Sequence, residues 1–152
     1  MVDKLVTTMS GRSTYDVGRE VTEILTATKV LIPNDCGRLF FLDAAAGFTV
    51  TLPSIADAGE GWACKFVVKT AVTSNGYIVT EKTAADTNKI VTNGINELEV
   101  DTSSDGPYNA GHTTVTLVHN VAIQGDNVEF VCDGTNWYCK GQTKADGGVT
   151  LA

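Results

Sequence analysis

The stretch Gly125-Asp126-Asn127-Val128-Glu129-Phe130-Val131-Cys132-Asp133-Gly134-Thr135-Asn136-Trp137-Tyr138-Cys139-Lys140-Gly141-Gln142 decides the fold. Two short alternating runs flank Asp133-Gly134-Thr135-Asn136, residues that tolerate left-handed or self-bonded backbone and so mark a turn. With those four residues in the turn, Cys132 faces Trp137, Phe130 faces Cys139, Val131 faces Tyr138 and Glu129 faces Lys140. One face of the predicted hairpin carries Val128, Phe130, Cys132, Trp137 and Cys139. The other carries an opposite-charge pair, Glu129 with Lys140. One register therefore serves a buried face and a wet face together, which is the condition that fixes strand pairing.

The same period runs upstream. Trp62, Cys64, Phe66 and Val68 alternate with Lys65 and Lys69. Phe48, Val50 and Leu52 alternate with Thr49 and Thr51 until Pro53, which cannot donate to a ladder, ends the run. Leu39–Leu42 is apolar on both sides and reads as a central or doubly covered strand. Ile24–Thr26, Lys29–Ile32, Tyr77–Glu81, Ile90–Val91, Asn96–Asp101 and Thr113–Asn120 are further candidates, with Leu98 and Val100 on an inward face. Pro33 to Gly37 is a turn, and Ser54 to Gly61 a loop or single helical turn with Ser54 as a possible cap. Short strands with turns every 8–12 residues predict an all-β protein: an antiparallel β-sandwich or jelly-roll-like barrel. Its expected parts are an extended N-terminal arm (1–22), a sandwich (23–142) and a C-terminal tail (143–152).

Composition narrows the function. The chain has 152 residues, a net charge of −7 and a pI near 4.6, with mean hydropathy +0.03. Lys and Arg form no cluster, so phosphate-backbone binding lacks an electrostatic footing, and an anionic membrane surface would repel the chain. No basic segment leads into an apolar run of the signal type, and no apolar run approaches the roughly 20 residues of a membrane span. Charged residues make up 19%, below the roughly 25% typical of soluble domains, while Thr and Val are abundant. An uncharged pleated surface of this kind suits coverage by other subunits.

No catalytic set emerges. His112 and His119 are the only histidines, and nothing in the pattern brings a nucleophile to either. Asp101-Thr102-Ser103-Ser104-Asp105-Gly106 opens like a calcium loop, but His112 stands where the bidentate Glu belongs, so an ordinary turn is expected. Trp62 and Trp137 could stack on sugar rings, yet both sit on apolar faces and read as core. Tyr77, Tyr108 and Tyr138 are the tyrosines read as free to be exposed. Cys36, Cys64, Cys132 and Cys139 lack zinc spacing and read as buried thiols, with a structural disulfide the alternative. No metal, no cofactor and no small-molecule substrate is expected.

Two segments resemble a known group. Cys36-Gly37-Arg38-Leu39-Phe40-Phe41-Leu42-Asp43-Ala44-Ala45-Ala46-Gly47-Phe48-Thr49-Val50-Thr51-Leu52-Pro53 is one, and Gly125 to Tyr138 is the other. Together they resemble small β-rich virion proteins of tailed bacteriophages, namely capsid decoration (cement) proteins and domains of tail-fibre proteins. The resemblance spans about residues 30 to 141. It implies a non-enzymatic homotrimer on the outer surface of the capsid, assembled in the host cytoplasm and bound to the major capsid protein. The other reading it carries is a tail-fibre or receptor-binding component, reaching the host through Thr102–Gly111. A β-sandwich hydrolase or lectin is the third class and lacks a constellation. Partner contacts are expected from Leu5, Val6, Met9, Arg12 and Tyr15 in the arm, and from Tyr108. The arm is read either as ordering on a partner or as a loose terminus.

Overall fold

The computed structural model describes residues 20–99 and 109–152, and the backbone of two upstream strands, β1 (Thr8–Met9) and β2 (Arg12–Ser13). The remaining strands are β3 (Val21–Leu25), β4 (Lys29–Val30), β5 (Arg38–Leu42), β6 (Phe48–Thr51), β7 (Ala63–Val68), β8 (Tyr77–Thr80) and β9 (Ile90–Glu97). They continue with β10 (Asn109–His112), β11 (Thr114–Leu117), β12 (Asn127–Cys132), β13 (Trp137–Thr143) and β14 (Val149–Leu151). A seven-stranded sheet in the order β10-β9-β13-β12-β7-β5-β3 packs on a five-stranded sheet, β14-β11-β8-β6-β4.

The closing hairpin has the register its sequence predicts, from Glu129 opposite Lys140 to Cys132 opposite Trp137. Its turn is held by Asp133, whose Oδ1 accepts the N–H groups of Thr135 and Asn136, both at 2.7 Å. Those two donors favour the ionised carboxylate and hold Asp133 below the ordinary carboxylate range. Val128, Phe130, Cys132, Trp137 and Cys139 are all buried, and Lys140 Nζ lies 2.7 Å from Glu129 Oε1.

The expected antiparallel sandwich is corrected: both sheets are mixed. β3, β5 and β7 run parallel, as do β4, β6 and β8, and β13 pairs parallel with β9. From β3 to β8 the chain alternates between sheets, so each circuit adds one strand to each. Sheet neighbours are then two strands apart in sequence and point the same way. This winding needs no crossover helix, because the intervening strand of the other sheet performs the return.

Three boundaries also differ. β3 begins at Val21, inside the expected arm, and the expected tail contains β14, an edge strand paired with β11. Gly111 and His112 belong to β10 and not to a loop. Leu98, expected to face inward, lies beyond the end of β9 and is 59% exposed.

The core is aromatic at its centre. Phe40 stacks on Phe66 at 5.4 Å, Phe66 meets Phe130 edge-on, and Trp62 meets Trp137 edge-to-face at 5.4 Å. Such pairs add to the stabilisation from area burial. Trp62 Nε1 donates to the Pro33 carbonyl at 3.0 Å. Ser54 caps the one-turn helix α1 (Ile55–Ala58), accepting the Asp57 N–H on its Oγ at 3.1 Å. Gly47, at φ 68, precedes β6, and a Cβ there would stand 2.1 Å from the Gly76 carbonyl oxygen. Only glycine fits.

Tyr77 reverses its expectation. It is 1% exposed, and its hydroxyl lies 2.8 Å from the carbonyl oxygens of both Ala44 and Thr70 while accepting the Ala44 N–H at 2.9 Å. One phenol thus ties the 43–47 turn to the segment after β7.

Candidate contact surfaces

The outer face of the seven-stranded sheet is organised in rows by its register. One row reads Ala63, Val131, Tyr138, Val91 across β7, β12, β13 and β9. The next reads Leu39, Lys65, Glu129, Lys140 and is mostly charged. A third begins Ile24, Phe41, Val67. A charged ladder therefore runs beside an apolar row, and the third row turns polar at Asn127 and Gln142, on a face about 29 Å wide for seven strands at ordinary spacing. Val131 and Tyr138 are 38% and 46% exposed, and Ile24 is 55% exposed. Two shallow grooves open on this face. One, of about 240 Å³, runs past Glu20, Leu39, Ala63, Lys65 and Val131; the other, of about 220 Å³, lies among Val91, Val131, Tyr138 and Lys140. Apolar contact area bounded by charges is a surface suited to protein partners.

The outer face of the small sheet is chemically different. Thr51, Thr80 and Thr114 form one cross-strand row, and Thr49, Ile78, Thr116 and Thr150 form the next. Six of the chain's 21 threonines stand on this face, whose rows contain no charge. Inward neighbours Val50, Val79, Val115 and Val149 are buried, so alternation alone sorts these residues.

Where β3 and β4 form the outer strands of the two sheets, charges close the sandwich. Glu23 bonds both Lys29 (2.5 Å) and Arg38 (2.9 Å), and Asp35 lies 3.4 Å from Arg38 and 3.9 Å from Lys29. Lys29 also sits 5.3 Å from the centre of the Phe40 ring. Inward charge at an edge strand discourages indiscriminate strand addition.

A polar cluster gathers around the start of β9. Ile90 pairs with His112 on one side and Trp137 on the other, and Glu81 Oε1 accepts the Lys89 N–H at 2.7 Å. Glu81 Oε2, His112 Nε2 and Trp137 Nε1 are buried without hydrogen-bond partners among the described residues. Burial raises the Glu81 carboxyl above the ordinary glutamate value, with Asp86 adding to the effect. No group of three or more His, Cys, Asp or Glu among the described residues is arranged to hold a metal ion.

All four cysteines are free, and Cys64, Cys132 and Cys139 are buried. Phe130 separates Cys64 from Cys139 in register, which accounts for their not bonding. Burial pushes the thiols of Cys64, Cys132 and Cys139 upward, so little reactive thiolate forms. A chromogenic disulfide reagent at pH 8 should therefore titrate only the half-buried Cys36 rapidly. The other three should react at least about a hundredfold more slowly until urea unfolds the chain, because reaction requires opening of the sheet. Three or four fast thiols would contradict this packing.

Of the expected partner residues, Leu5, Val6, Tyr15 and Tyr108 lie outside the described residues, as does the calcium-like loop 101–106. Met9 and Arg12 are register partners in the β1–β2 pair. The sequence reading missed the large-sheet face, although its signal was present: Val131 and Tyr138 are the apolar residues on the wet side of the hairpin. No family model matches the chain, and no curated protein and no solved structure matches it significantly.

Proposed function

We propose that this chain is a bacteriophage capsid decoration protein, a non-enzymatic homotrimer that binds the major capsid protein and stabilises capsomer junctions. The observation that carries the reading is the outer face of the large sheet, where the apolar row of Ala63, Val131, Tyr138 and Val91 runs beside a charged ladder. Such a face works by contact, its apolar row supplying affinity and its ladder supplying register. The resemblance of the 36–53 and 125–138 segments to decoration proteins supports the same reading. A threefold arrangement multiplies weak contacts, since the second and third attachments are intramolecular.

The test is to mix purified protein with undecorated capsids. Binding should saturate in threefold clusters and raise the temperature at which capsids open. Tyr138→Asp should weaken binding at least about tenfold, the scale of a lost interface anchor. Absence of capsid binding, with binding to host cells instead, would transfer the assignment to a tail-fibre component.

A further inference from the structure

The outer face of the large sheet is complementary to itself. We propose that in the free protein a second copy of this chain covers that face, about a two-fold axis running along the strands between β7 and β12.

Such an axis keeps each row opposite the same row of the second copy, and it exchanges β7 with β12 and β5 with β13. In the charged ladder it sets Lys65 against Glu129 of the second copy, and Glu129 against that copy's Lys65. Lys65 makes no ion pair among the described residues, whereas Glu129 holds Lys140 at 2.7 Å and stays 32% exposed. The ladder thus has one cation unanswered within the chain, and the exchange supplies its carboxylate.

The apolar row matches itself in shape. The same operation brings Ala63 over Val131 and Tyr138 over Gly37. Gly37 belongs to that row because its N–H donates to the Ala63 carbonyl at 2.7 Å. The groove of about 240 Å³ opens there, among Gly37, Leu39, Ala63 and Lys65. Tyr138, a half-exposed ring, stands one strand beyond β12, as Gly37 stands one strand beyond β7. A knob on one side of the axis therefore meets a hollow at the same distance on the other.

The dimensions suffice. β7 and β12 are six residues long, so the face measures about 29 Å by 20 Å. Two copies would cover roughly 1,200 Å² in projection, the lower end of standard interfaces. Sheets related in this way pack as aligned layers, an arrangement that twisted sheets favour. A two-fold contact also closes on itself and leaves no free face for further growth. Pairing occupies the face assigned above to the capsid, so capsid and second copy compete for it. A trimer would pair in the same way with a second trimer. The inference does not rest on the capsid reading: it is tested on the purified protein alone, and its failure leaves that reading standing.

The test is sedimentation equilibrium of the full-length protein, from about 1 to 100 μM. At physiological ionic strength a screening length of about 8 Å confines the repulsion between the acidic chains. Wild type should reach twice the mass of Lys65→Glu and of Glu129→Lys, variants that each set like charges together at both crossing points. Their dissociation constants should rise at least about tenfold. Mixing the two variants in equal amounts should restore the doubled mass, because each copy then meets the opposite charge at both positions. Tyr138→Ala leaves the ladder intact and should weaken pairing about tenfold. Circular dichroism should be unchanged throughout. A wild type of the same mass as the variants would overturn the proposal, as would a doubled mass that persists in both. A mixture that stays at the lower mass would overturn the pairing of Lys65 with Glu129, and with it the axis.

Discussion

Trp137→Ala should lower the unfolding free energy by about 3–5 kcal/mol, the cost of truncating a fully buried aromatic side chain. Trp137 is 0% exposed and meets Trp62 edge-to-face, with ring centroids 5.4 Å apart. Its strand, β13, lies between β9 and β12, so the void would open at the centre of the larger sheet. Neighbours cannot close it easily, since Trp137 N–H donates to Lys89 and Cys132 N–H donates to Trp62. Urea titration followed by far-ultraviolet circular dichroism measures the loss. Trp137→Phe makes an informative companion. It keeps a ring against Trp62 and removes Nε1, a buried donor without a partner among the described residues. Its expected cost is only about 1 kcal/mol, because the lost volume is partly offset by removing an unsatisfied polar group. A Trp137→Ala loss below about 1 kcal/mol would refute the central position assigned to this residue.

Tyr77→Phe should cost about 2–3 kcal/mol although it removes a single atom. The hydroxyl bridges the Ala44 N–H, the Ala44 carbonyl and the Thr70 carbonyl. Its loss strands the Ala44 N–H and the Thr70 carbonyl near a buried site, while the Ala44 carbonyl keeps the Gly47 N–H, and an unsatisfied buried group costs on the order of 1–3 kcal/mol. For a chain of this size that is a fall in melting temperature of roughly 5–10 °C. The aromatic contact with Phe48, at 5.1 Å, survives the change. Alkaline pH provides an independent check. Burial raises the Tyr77 phenol above its ordinary value. Stability from this group is therefore complete below the unfolded pKa, about 10. It is lost as pH rises through the higher folded value, because the unfolded chain releases the proton first. The Tyr77→Phe variant should lack this component of alkaline destabilisation. Indistinguishable wild-type and variant stabilities at neutral pH would mean that the phenol is not the tie described.

How much was legible in the sequence varies by segment. The 125–142 hairpin was readable because its turn and its two-sided alternation are both local. Ser54 was readable as a cap for the same reason, and Pro53 as a strand end. Tyr77 was not, because its partners, Ala44 and Thr70, become neighbours only when the two sheets close. Leu98 misled in the opposite direction: alternation continued in the letters after β9 had ended in space.

The outer face of the large sheet was half-legible. Val131 and Tyr138 stood on the wet side of the hairpin, but their meaning depended on Ala63 and Val91, which neighbouring strands bring into the same row. The Thr rows of the small sheet follow the same logic. Each Thr-x-Thr run announces one outward face, and only β6, β8 and β11 in register make an uncharged surface.

The sequence by itself determined which residues alternate, where strands stop, and which side of each strand is apolar. Period two and proline geometry are properties of a few adjacent residues. Only the tertiary structure decided strand direction and order. Parallel and antiparallel neighbours impose the same alternation, so winding between two sheets leaves no local mark. The closing hairpin was fixed by its own residues. Its outer side acquired a row and a groove from strands more than forty residues away in sequence.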